Sequence, residues 1–439
     1  MSGNLLAQTF SRGSFCEAMG EEAYVRAMLA FESALAQSQA EVGVIPVFAA
    51  TAIAGVCGRA KFSAPRLAAD GKRSGSLAVP FVKALTEAVR AVDPKAASFV
   101  HFGSTSQDVL DTALAVCVQP CIAEADRVLD ESIALLAEQA RRNASVVMLG
   151  RTMMQPAIPI TAGIKIARWA RALSRCRARL SETSAQGLCV QMGGPVGTLD
   201  ALGGRRSEVR RGVARRLGLA DAPSWHSHRD EFLAFASSIA ILVGAIGKIA
   251  RDVALLSQAE VGEMLESAPQ KGVGGSSAMP HKRNPVSCLQ AITAATRAPG
   301  LMAILLHGAG QEHERAVGGW QAELATFPEL IDTLGGAIDA LERIAAGLLV
   351  NPEKMRENLE GLRGLVFSER LSRVLMLSMD RASAMSQVDD WCAVAVAEGR
   401  HLKEVAAAAA PGLDLEPAFS LEAIVADLAP VLEEELAGL

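Results

Sequence analysis

Apolar residues recur at spacings of three and four through 21–41, 122–141, 160–186, 229–267, 285–307 and 323–348, and this regularity excludes most architectures. A half-buried strand alternates faces every second residue, and runs of that kind are almost absent here. The chain is therefore expected to be all-α. Alanine, leucine and valine dominate, with one tyrosine and four tryptophans among 439 residues. Small aliphatic side chains suit helix-on-helix packing, whereas a sandwich or barrel would need more aromatic and β-branched residues. Half of the residues are hydrophobic, enough for a large core in a chain of this length. Residues 230–266 hold no proline and keep one continuous period, which predicts a helix well above average length.

Breaks containing glycine or proline fall near 103–108, 193–204, 218–224, 268–280 and 351–352. They divide the chain into an N-terminal helical domain (1–111), a central helix bundle (112–350) and a smaller C-terminal helical domain (351–439). The alanine run 406–410, followed by Pro411 and Gly412, reads as a helix end and turn. No internal repeat is visible.

Composition narrows the function classes. A net charge of −5 argues against a general nucleic-acid binder. Arginines crowd 168–179 and 205–216, but no aromatic platform is interleaved, so both runs read as solvated helix faces. The eight cysteines lack a framework of short spacings, which points to reduced thiols and a cytoplasmic setting. Cys117 and Cys121 flank Pro120 with no histidine pair at zinc spacing, and read as small buried hydrophobes. No basic segment precedes an apolar one near the N-terminus, so no signal peptide is expected. The apolar stretch Phe232–Gly247 is shorter than the ~20 residues a spanning helix needs and reads as the centre of a bundle or an oligomer interface.

Chemistry concentrates at 275–285, Gly-Ser-Ser-Ala-Met-Pro-His-Lys-Arg-Asn-Pro. With Lys271, Gly272 and Gly274 upstream, this stretch has little backbone preference and can aim amides at an anion. Pro280 and Pro285 bracket Lys282 and stiffen its surroundings.

The run from Gly275 to Asn284 resembles the signature of the fumarase/aspartase superfamily, Gly-Ser-Ser-x-Met-Pro-x-Lys-x-Asn, at every fixed position. Further stretches stand in that superfamily's order: His101-Phe102-Gly103-Ser104-Thr105-Ser106-Gln107-Asp108, then Gly150-Arg151-Thr152-Met153-Met154-Gln155, then Gly193-Gly194-Pro195-Val196-Gly197-Thr198. Trp225-His226-Ser227-His228-Arg229-Asp230, Gln311-Glu312-His313-Glu314-Arg315 and Gly319-Trp320-Gln321-Ala322-Glu323 look most like its bacterial cycloisomerases that act on 3-carboxy-cis,cis-muconate.

The resemblance implies three helical domains, with the long central bundles of four subunits packed into a homotetramer whose active sites each draw on three chains. It implies Ser276 as the catalytic base. A free serine hydroxyl is too weakly acidic for that work, so Lys282 and nearby amides would stabilise the alkoxide. Lys282 and Asn284 would bind the substrate carboxylate on which charge develops, with Ser104, Thr105, Thr152 and Gln155 as donors from the other motifs. Met279 and His281 would line the site from the same loop. Arg315 would hold a second carboxylate through its planar fork, and Arg12 is a weaker candidate for that task. His101, His226, His228, His281 and His313 fall in or beside the motifs, but no pair has metal-site spacing on a helix with an acidic partner. The His226 segment reads as structural support. No metal, no organic cofactor, no nucleic acid and no membrane partner is implied.

Two departures bear on the substrate. Superfamily members that expel an amine or hydroxide typically carry histidine at the place of Met153, and the cycloisomerases carry tryptophan there and histidine at the place of Pro156. A carboxylate leaving group is stable as an anion and needs no proton, which fits a missing histidine. After Pro285 the chain reads Val286-Ser287-Cys288-Leu289-Gln290, without the glutamate usual in the lyases, which favours the cycloisomerase branch. The implied activity is interconversion of 3-carboxy-cis,cis-muconate, or a close polycarboxylate, and a carboxymuconolactone, in aromatic-acid catabolism. The alternatives are a lyase of the same fold that expels another stabilised group from a succinate-like skeleton, and a non-catalytic helical protein.

Overall fold

The computed structural model describes residues 9–267, 279 and 282–439. Helices follow the sequence period closely. Glu21–Glu41 matches its predicted span, with Glu21 and Glu22 in the first turn, where the helix dipole favours negative charge. The other long helices are Ser106–Arg142, Ala162–Gly187, Asp230–Leu256, Val286–His307 and Gly319–Gly347. Ser106–Arg142 runs 37 residues, carries Asp108 in its first turn and Arg141 and Arg142 in its last, and contains Pro120.

Contacts gather the chain into two units. The first takes the chain up to Val128 together with Cys176–Gly247 and Gln290–Asp339; the second takes Leu129–Arg175, Lys248–Leu289 and Ala340–Leu439. In the first, Phe232 and Phe235 of helix Asp230–Leu256 pack on Phe327 at ring separations of 4.6 and 6.0 Å. Helix Val286–His307 approaches the same helix so closely that a Cβ on Gly247 would lie 2.2 Å from that of Ala295. In the second, the C-terminal helices form a core around Leu359, Phe367, Leu371, Trp391, Leu402 and Phe419, joined by Val147 and Leu149.

Two sequence expectations need correction. The helix predicted through 229–267 stops at Leu256. The Glu263 amide folds back on the Leu256 carbonyl at 2.9 Å, Gly262 turns left-handed at φ 61°, and Met264–Glu266 pairs antiparallel with Leu348–Val350. Here backbone pairing with a distant segment overrides the local period. A second antiparallel pair, Val147–Thr152 with Gln155–Thr161, was also absent from the periodicity reading. Its two-residue turn, Met153-Met154, has φ of 49° and 66° and so adopts the conformation that Asn-Gly usually signals, without those residues. The arginine runs are largely exposed, as expected of solvated helix faces, and the three partly buried arginines in them are tied down. Arg177 meets Asp126 at 2.6 Å, Arg210 meets Asp221 at 2.6 Å, and Arg171 donates to the carbonyls of Glu434, Glu435 and Ala437.

Phe232–Gly247 lies within the 27-residue helix Asp230–Leu256, which together with Val286–His307 is long and apolar enough to cross a membrane by length and composition. Burial supplies the better description: Phe235, Ile239, Leu242, Val243 and Ile246 have no exposed surface within the chain itself. Cys117 and Cys121 are buried and free, and burial pushes both thiols up to about 12.

Candidate active site

In the first unit the site grows from the start of helix Ser106–Arg142. Asp108 is fully buried, two positions into that helix. Its carboxylate accepts from the Thr105 amide at 3.1 Å and the Ser104 hydroxyl at 3.3 Å, which caps the helix start. It also accepts from the Gly193 and Gly194 amides, both at 2.9 Å, and pairs with His226 Nε2 at 2.7 Å. One buried carboxylate thus ties together the 101–108, 193–198 and 225–230 motifs. Gly193 is obligatory there, because a Cβ would lie 2.5 Å from His226 Cε1. Arg315 reaches the same corner and donates to Thr105 Oγ1 at 2.6 Å. Ser104, Thr105 and Arg315 are therefore brought together.

Beneath this corner, Arg229 is buried between two carboxylates. It donates to Asp111 at 2.9 Å and to Glu323 at 2.7 and 2.9 Å, and its guanidinium lies 4.3 Å from the Trp225 ring centre. Trp320 Nε1 donates to the other Asp111 oxygen at 2.8 Å, and Gln311 donates to Glu323 at 2.6 Å. One cation cannot neutralise two buried anions, so the cluster favours an added proton. Burial pushes Glu323 up to about 7, against the opposing pull of Arg229.

His101, left-handed at φ 59°, pairs through Nδ1 with the buried carboxylate of Glu32 at 2.5 Å. Burial opposes its protonation, but the charges of Glu32 and Asp108 outweigh burial and raise the imidazole above its ordinary value. Arg12 is occupied by Glu124 at 2.7 Å, with Asp339 at 3.6 Å. His228 and His313 are exposed.

In the second unit the hairpin presents Thr152 and Gln155 as a facing, exposed pair on either side of the Met153-Met154 turn. Arg151 anchors the hairpin through a bidentate pair with buried Glu263 at 2.6 and 2.7 Å, and Asn358 donates to the same carboxylate at 2.9 Å. Lys282, Asn284 and Met279 are exposed, and the Lys282 amide donates to the Met279 carbonyl at 3.0 Å. Ser276 and His281 lie outside the described residues. The sequence reading assigned no role to Asp108, Asp111, Arg229, Glu263 or Glu323. Asp108, Arg229 and Glu323 sit inside motifs quoted above, whereas Asp111 and Glu263 lie outside them, and a charged residue near a predicted helix boundary is the only signal any of them gives.

A largely helical fold carrying these motifs, with polar side chains converging at a helix start, is a scaffold of the lyase type. Residues 7–300 match the family model described as "Lyase", and the chain belongs to this lyase family of the fumarase/aspartase superfamily. Among its relatives, a 3-carboxy-cis,cis-muconate cycloisomerase of Bradyrhizobium diazoefficiens is 42% identical over 92% of this chain and 90% of its own length. The crystal structure of β-carboxy-cis,cis-muconate cycloisomerase from Acinetobacter calcoaceticus superposes with a TM-score of 0.91 at 35% identity, covering 99% of this chain and 100% of that one. A nitrosuccinate lyase of Streptomyces davaonensis is 37% identical over 89% of this chain and 84% of its own length.

Proposed function

We propose that this chain is a cycloisomerase interconverting 3-carboxy-cis,cis-muconate, or a close polycarboxylate, and a carboxymuconolactone. The observation that carries the reading is 42% identity sustained over 92% of the chain to a protein of that activity, with the superfamily loop intact from Gly275 to Asn284. In the lactone-forming direction one substrate carboxylate oxygen bonds to an alkene carbon. The Ser276 hydroxyl delivers its proton to the carbon α to another carboxylate. In reverse, the Ser276 alkoxide takes that α-proton and the ring carboxylate departs as a stable anion.

The charge that develops on the α-carboxylate is met by Lys282 and Asn284, with Ser104, Thr105, Thr152 and Gln155 as further donors. Arg315, already beside Thr105, holds a second carboxylate. Because nucleophile and acceptor belong to one molecule, the main task left to the protein is fixing conformation and charge. No electrons change hands, so the proposed steps call on no redox group.

The same reading includes a homotetramer whose sites draw on three chains, a cytoplasmic location, and 1–111, 112–350 and 351–439 as helical domains. The apolar helices Asp230–Leu256 and Val286–His307 suit subunit packing.

A second reading, a lyase releasing another stabilised anion from a succinate-like substrate, is favoured by the nitrosuccinate lyase relative and by Met153 and Pro156. Incubation with 3-carboxy-cis,cis-muconate and, separately, with nitrosuccinate, followed by proton NMR of the products, separates the two. A γ-lactone from the first supports the cycloisomerase; turnover of nitrosuccinate alone overturns it in favour of the lyase.

A further inference from the structure

Helix Val286–His307 starts immediately after Lys282 and Asn284. The first amides of a helix have no partner within it and carry partial positive charge, so they attract whatever anion is near. Here that place is filled. Glu266 accepts from the Ser287 amide with both carboxylate oxygens, at 3.0 and 3.1 Å, and from the Cys288 amide at 3.2 Å.

Glu266 is itself held from behind. It ends the strand Met264–Glu266 and sits opposite Leu348 in the ladder, and the next amide, Ser267, donates to the Gly347 carbonyl at 2.8 Å. On the helix side, Ser287 is 1% exposed and its hydroxyl accepts from Arg343 Nε at 3.0 Å. The helix start therefore has two independent ties, one through its amides to a fixed strand and one through a side chain to helix Gly319–Gly347.

We infer that Glu266 is a positioning residue for Lys282 and Asn284, acting through the first turn of helix Val286–His307. Asn284 lies three positions before Ser287 and Lys282 five, with rigid Pro285 between. Fixing the Ser287 and Cys288 amides fixes where the two side chains leave the backbone. The inference rests on Lys282 and Asn284 contacting the substrate carboxylate, as proposed above.

The test compares Glu266→Ala and Glu266→Gln in the full-length protein, with kinetics on 3-carboxy-cis,cis-muconate and hydrogen exchange of the segment 282–290. Glu266→Ala is expected to lower kcat/KM at least tenfold, to accelerate exchange at Ser287 and Cys288, and to regain several-fold activity in added formate, which replaces the carboxylate at the amides. Glu266→Gln keeps one acceptor oxygen and should fall between the two. Unchanged exchange at Ser287 and Cys288 in Glu266→Ala overturns the inference. So does accelerated exchange with kcat and KM within twofold of wild type. An inactive wild type with accelerated exchange in Glu266→Ala would instead sink the functional reading and leave the amide clamp standing.

Discussion

Asp108 and His226 meet at 2.7 Å with no solvent access to the carboxylate, and the same carboxylate takes the amides of Thr105, Gly193 and Gly194. A buried charge with this many donors is a keystone: its removal strands several polar groups at once. Asp108→Ala should destabilise the protein by about 3–5 kcal/mol, the range for breaking a buried charged network. Asp108→Asn should cost less but still disorder the Ser104–Thr105 corner. Urea unfolding of the purified variants checks both values.

Glu323 gives the fold a pH dependence of definite sign. Its folded value, pushed to about 7, lies above the ordinary 4.5, so the native state binds the extra proton between those values. The associated stability is fully present below pH 4.5 and is lost as pH rises through about 7. The difference in unfolding free energy between wild type and Glu323→Gln should shift by roughly 3 kcal/mol across that window, in the direction of a relatively weaker wild type at high pH. Thermal or urea melts from pH 5 to pH 8 read it directly.

His101 behaves in the same sense for a different cause. Its charge is favoured by Glu32 and Asp108 in spite of burial, so the imidazolium persists above the pH at which a free histidine loses its proton. An NMR titration should show the His101 ring titrating above the ordinary 6.5, and Glu32→Gln should bring it down. A His101 value at or below 6.5 in wild type would contradict the charge assignment.

Met154 stands in the left-handed region at φ 66° on a turn where nothing in the sequence relieves the cost. A non-glycine residue there carries roughly 1–2 kcal/mol of strain. Met154→Gly should recover about 1 kcal/mol, less the extra chain entropy of glycine, and raise the melting temperature by about one degree at most in a chain of this size. Differential scanning calorimetry settles the sign.

What could be read in advance, and what could not, follows from the physics of each residue. Helix Glu21–Glu41 was legible to the residue because its apolar period and its acidic first turn point the same way. The loop motif was legible because Lys282, Asn284 and the paired serines are an improbable run. Asp108, Arg229 and Glu323 were visible as letters, but their roles arise from burial and from partners up to 118 residues distant, as between Asp108 and His226. The hairpin around Met153 was hidden because its turn lacks asparagine and glycine, and the strand at Met264–Glu266 because its partner lies at 348–350. Arg315 was proposed as a carboxylate ligand on its motif alone, and its hydrogen bond to Thr105 now places it beside a second proposed ligand.

The most direct measurement of the central claim mixes purified protein with 3-carboxy-cis,cis-muconate and follows loss of the conjugated-diene ultraviolet absorbance, with Ser276→Ala and Lys282→Ala in parallel. The account predicts rapid loss with wild type and at least a hundredfold slower loss with either variant, the scale expected when a positioned acid–base group or a donor to developing charge is removed. Stable absorbance with folded wild type, or a Ser276→Ala variant as fast as wild type, would contradict it.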